Sequence, residues 1–99
     1  MSTPDFAALL ATVEVTPFIG RTIVQFREKR GMTQSELAKA SGVDLSAVKR
    51  LESGRKSGGW LVTVERLCQA LEVTLEAFFK AARLMAVQAA LTTLWGQVP

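Results

Sequence analysis

A chain of 99 residues with 48% hydrophobic content and a net charge of +3 can build one small core and little more. It has no histidine and a single cysteine, which excludes Ser-His-Asp and Cys-His catalytic arrangements, a cysteine-rich zinc site and an internal disulfide. No enzyme, metal or other cofactor is therefore expected. With no evident signal peptide and no apolar run of the roughly 18 residues a membrane span needs, a soluble, cytoplasmic protein without membrane contact is expected.

The periodicity predicts helices almost throughout. Phe6, Leu9, Leu10 and Val13 recur at helical spacing after Pro4, so residues 1–16 are expected to form a short helical extension, broken before Pro17. Over residues 18–30, Ile19, Thr22, Ile23 and Phe26 form an inner stripe opposite Arg21, Glu28, Lys29 and Arg30. Thr33 followed by Glu36 is a capping box that starts a helix at Gln34, with Leu37 and Ala38 inward and a stop near Ser41 and Gly42. Asp44 is expected to cap the next helix, with Val48 and Leu51 inward, Leu45, Ser46, Lys49 and Arg50 outward, and Gly54 at its end.

A basic, glycine-rich loop follows over residues 55–59, with Trp60 beyond it as core, interface or exposed residue. Residues 61–71 form another amphipathic helix, whose Val64, Leu67 and Leu71 surround Cys68 and mark it as a buried thiol. Thr74 can cap a last helix from Leu75. Residues 80–99 are apolar on two stripes. Phe78, Ala82, Met85 and Ala89 face the domain, while Leu84, Val87, Leu91, Leu94 and Trp95 need a second partner. A twofold dimer is the preferred partner, and the N-terminal helix of the same chain is the alternative.

Two short helices joined through a glycine-containing turn cross at a large angle and can present the second one to a DNA major groove. Charge agrees with that use. Lys49, Arg50, Arg55 and Lys56 stand against Glu52 alone over residues 45–56, which gives this window the net charge of the whole chain.

The succession Phe26-Arg27-Glu28-Lys29-Arg30-Gly31-Met32-Thr33-Gln34-Ser35-Glu36-Leu37-Ala38, Gly42-Val43, Val48-Lys49-Arg50-Leu51-Glu52-Ser53-Gly54 and residues 67–73 resembles the phage repressor and Cro (XRE-type) helix-turn-helix family. The resemblance covers residues 18–79. It implies an all-α, five-helix lambda-repressor-like DNA-binding domain over residues 17–79, with helix two at 34–41 and the recognition helix at 45–53. Residues 1–16 and 80–99 become helical extensions, the latter for dimerisation.

The resemblance also assigns roles. Gln34, at a helix N-terminus, contacts a phosphate of double-stranded DNA, and Ser53, Arg55 and Lys56 hold the backbone beyond the recognition helix. Leu45, Ser46 and Arg50 read bases, with Lys49 flanking. An arginine fork at Arg50 can hold guanine O6 and N7, worth about 1–3 kcal/mol of discrimination. Leu45 departs from the polar residue usual at its position. The loop 57–60 departs too, lacking the usual proline. Arg27 and Glu52 are implied to form an ion pair between the first and third helices. Two functions are carried forward: a transcriptional regulator, foremost a repressor that binds an inverted repeat as a homodimer, or an antitoxin-type protein whose apolar segments bind a toxin.

Overall fold

The computed structural model describes residues 13–96. Over these the chain is all-α, without strands. A 3-10 turn at Thr16–Phe18 precedes α1 (Ile19–Lys29), α2 (Gln34–Ser41), α3 (Leu45–Glu52), α4 (Trp60–Leu71) and α5 (Leu75–Trp95). The helix expected over residues 1–16 lies largely outside the described residues. Residues 13–15 carry no regular structure, and the turn around Pro17 follows directly.

Local chemistry sets the boundaries. Thr33 Oγ1 accepts the Glu36 amide at 3.1 Å, and the Glu36 carboxylate accepts the Thr33 amide at 2.9 Å, closing the capping box at the start of α2. The Thr33 amide, donating to the ionised carboxylate, and after it the Thr33 side chain hold the Glu36 carboxyl below its ordinary pKa. Thr74 caps α5 by accepting the Ala77 amide at 3.1 Å. Asp44 sits at the start of α3 as expected, but its side chain makes no capping bond. At the end of α3, Gly54 donates to Leu51 O and Arg55 to Arg50 O, a Schellman closure that Gly54 permits at φ 88°. The same closure ends α4 with Glu72 at φ 56°. There Arg30 holds both groups, donating to Leu71 O at 2.7 Å and pairing with the Glu72 carboxylate at 2.8 Å.

The core gathers Ile19 and Ile23 from α1, Leu37 and Ala38 from α2, Val48 and Leu51 from α3, Val64, Leu67, Cys68 and Leu71 from α4, and Phe78 and Ala82 from α5. Thr22, buried among them, is satisfied by donating to Phe18 O at 2.7 Å. Phe26 stacks on Phe78, with ring centroids 6.1 Å apart, and Phe79 meets Phe78 edge-on at 5.4 Å, which fastens the start of α5 to α1. Burial pushes the Cys68 thiol up to about 11, so it stays protonated and inert at neutral pH.

One close approach decides how α1 crosses α3. A Cβ on Gly20 would run into the carbonyl oxygens of Leu51 and Glu52, so only glycine lets the helices meet here.

The fifth helix and the apolar extension are one element. No residue between Phe79 and Trp95 is glycine or proline, and α5 runs through the boundary expected at residue 80. Its 21 residues span about 30 Å at 1.5 Å per residue. Phe78, Ala82 and Ala86 are buried, Ala86 more deeply than the expected Ala89. Farther along, Ala86, Ala89 and Ala90 form one wall of an open groove whose other wall is Val13, Pro17 and Phe18.

Candidate nucleic-acid interface

The α2–turn–α3 pair is held by its inward side chains. Gly42 makes the turn at φ 71°, while Leu37, Val48 and Leu51 are fully or almost fully buried beneath it. This leaves Ser46, Lys49 and Arg50 exposed side by side on α3. Among the described residues, neither Lys49 nor Arg50 has its charged end engaged in a hydrogen bond or ion pair. Leu45 is placed differently from the sequence expectation. Rather than facing outward, it is half-buried and packs against the core, because first-turn side chains lean back toward the helix N-terminus, here the Val43 side of the turn. The outward set on α3 is therefore smaller and wholly polar.

Behind this face lies a polar hub. Arg27 donates Nε to Glu52 Oε2 at 2.7 Å and Nη2 to Glu52 Oε1 at 3.0 Å, the two-pronged geometry that makes arginine–carboxylate pairs strong. Its Nη1 reaches Met32 O at 2.9 Å. The side chains are only 13% and 6% exposed, so the charges are mutually dependent. The Glu52 hydrogen bond, opposed by burial, raises the Arg27 pKa above its ordinary value. Glu52 also accepts from Gln34 Nε2 at 2.9 Å. One carboxylate thus joins α1, the N-terminus of α2 and the C-terminus of α3. The sequence implied the ion pair, whereas the Gln34 bond was missed, since 18 residues separate the partners.

The loop after α3 is basic and exposed over Ser53, Arg55 and Lys56. Ser53 Oγ donates to Arg50 O at 2.8 Å and so reinforces the helix end. Lys56 donates to Thr16 O at 3.0 Å and lies 5.9 Å from the Trp60 ring centroid. The structure thus gives Trp60 a place as well: half-buried at the start of α4, it lines a cavity of about 20 Å³ with Ala47, Arg50, Leu51 and Arg55. That is room for about one water. Thr16, the hydrogen-bond partner of Lys56, was likewise invisible in the sequence, because the contact spans 40 residues.

The five residues expected to form a dimer interface share the outer part of α5. Leu84 is 55% and Trp95 80% exposed, whereas Val87, Leu91 and Leu94 are partly covered. Among the described residues no helix is long and apolar enough to cross a membrane, and no cluster of His, Cys, Asp or Glu is arranged to hold a metal ion.

Comparison with known proteins matches residues 19–78 to the helix-turn-helix domain family. No curated protein and no solved structure matches the chain. The matched span is more than half of the sequence and contains α1 to α4 and the first turn of α5, the elements that build and brace the α2–α3 pair. The chain belongs to the helix-turn-helix domain family and has its all-α DNA-binding fold, in keeping with the repressor- and Cro-like resemblance of its sequence.

Proposed function

We propose that this protein is a non-enzymatic, cytoplasmic, sequence-specific transcriptional regulator, a repressor that occupies an inverted-repeat operator as a homodimer. The observation that carries the reading is the exposed trio Ser46, Lys49 and Arg50, the last two with unengaged charged ends, on a helix fixed from behind by a part-buried ion pair. Such a face suits direct contact with base edges in the major groove. Leu45, half-covered, contributes at most its exposed edge.

Around that face, Gln34 at the positive end of α2, Ser53, Arg55 and Lys56 are suited to phosphate oxygens. Lys56 exchanges the exposed Thr16 carbonyl for a phosphate. Binding of the full chain to duplex DNA over a salt series tests these roles. Lys56→Ala is expected to flatten the slope of log affinity against log salt by about one unit. If neither Arg50→Ala nor Gln34→Ala weakens binding, the recognition surface lies elsewhere.

The dimer rests on α5. Exposed Leu84 and Trp95, with Val87, Leu91 and Leu94 between them, form an apolar stripe that a twofold-related copy can cover. Sedimentation as a monomer at high concentration would sink this part. The same stripe supports a second reading, an antitoxin that uses α5 to neutralise a toxin and its helix-turn-helix to autoregulate. A defined partner that binds the wild-type chain, but not Leu84→Ser/Trp95→Ser, and dissociates the homodimer would favour it.

A further inference from the structure

Resting on the DNA-binding reading above, we infer that α3 reads G·C pairs, with guanine facing Arg50 and Lys49, and carries no side chain matched to adenine over guanine. In the major groove guanine presents two acceptors, N7 and O6. Adenine presents one acceptor and one donor, thymine an acceptor and a methyl, and cytosine a donor. A reading surface therefore selects bases by its balance of donors and acceptors.

Along α3 that balance is one-sided. Lys49 and Arg50 only donate, and Ser46 can do either. Glu52 is the single carboxylate within α3, and it is turned inward at 6% exposure with its oxygens held by Arg27 and Gln34. It neither accepts from a base nor neutralises Arg50. An amide, the group that matches the donor and acceptor of adenine, is missing from α3 altogether. The nearest amide on α2, half-buried Gln34, has one of its two N–H donors on Glu52, and the other is assigned above to a phosphate. Leu45, which could meet a thymine methyl, packs against the core instead.

At the N-terminus of α3, Asp44 is exposed and its side chain makes no bond to the helix. As an acceptor its base-edge counterpart is the cytosine amine, on the partner base of guanine. The Arg50 fork is also well placed to be selective. Its carbonyl is tied by both Ser53 Oγ and the Arg55 amide, which fixes the backbone from which the side chain departs.

The test is selection of bound duplexes from a random library by the full chain, followed by replacement of each enriched guanine with 7-deazaguanine, which lacks N7. At the guanine read by Arg50 the replacement is expected to weaken binding roughly five- to a hundredfold, and Arg50→Ala to abolish that difference. Arg50→Gln is expected to move the preference at this position from guanine to adenine, a change that loss of folding cannot produce. The modified DNA needs no protein variant, so the inference is exposed to refutation even if a variant misfolds. Enriched sites without guanine, or full indifference to 7-deazaguanine, would overturn it while leaving DNA binding intact. A folded chain that retains no DNA even at low salt would overturn both it and the DNA-binding reading.

Discussion

The α1–α4 unit and the outer half of α5 are made from similar apolar residues but solve different problems. In the first, the inward side chains meet in one core, α2 begins in a capping box, α3 and α4 end in Schellman bonds, and the Glu52 carboxylate accepts three hydrogen bonds from two residues. In the second, residues beyond Ala86 are apolar on several faces, and one of the two stripes is left with Leu84 and Trp95 in the open. The contrast teaches that sidedness, more than hydrophobic content, separates an element completed within its own domain from one that awaits another surface.

Substitutions can break this contrast or sharpen it. The largest loss is expected at the hub. Glu52→Ala strands the Arg27 charge and frees Gln34, at a cost of about 3 kcal/mol. An unchanged melting temperature would remove the hub from the stability of the domain. Gly20→Ala should cost about 2 kcal/mol by forcing α1 away from the Leu51 and Glu52 carbonyls, again measured by thermal or denaturant unfolding.

On α5 the order of effects should invert. Leu84→Ser with Trp95→Ser is expected to change monomer stability by less than about 0.5 kcal/mol, yet to shift sedimentation from dimer to monomer. A large loss of stability with unaltered assembly would erase the distinction drawn between the two regions.

The smallest effect is expected from pH. The folded Glu36 carboxyl lies below its ordinary 4.5, so its contribution is present above that pH and disappears as pH falls through the lowered value. Glu36→Gln should therefore flatten the acid limb of a stability-against-pH curve. An identical limb in both proteins would dissociate the capping box from acid sensitivity.

What the sequence made legible was local or periodic. Thr33 with Glu36, Thr74 before Leu75 and Gly42 in the turn act over a few residues, and their geometry appears as expected. The inward stripes of α1 to α4 follow from helical spacing, and the Arg27–Glu52 pair came through family resemblance.

Features that depend on how helices cross were hidden. Gly20 looks like a weak point in a helix until α3 is laid against it, and Arg30 shows no sign in sequence that it holds the end of α4 41 residues away. Leu45 looked outward because a wheel drawn from helix periodicity ignores the lean of first-turn side chains. The continuity of α5 could have been read from its unbroken run of helix formers, but the end of the family resemblance suggested a boundary there.

The two tryptophans lie at the two ends of this comparison, and that gives the molecule intrinsic optical labels. Trp60 sits half-covered beneath the Lys56 ammonium, beside the surface assigned to DNA. Trp95 stands 80% exposed near the far end of α5. Fluorescence from single-tryptophan variants would follow the two ends separately: engagement of nucleic acid perturbs the first, and burial against another chain shifts the second to shorter wavelength. The order of DNA binding and of any association through α5 could thus be timed without attaching a dye.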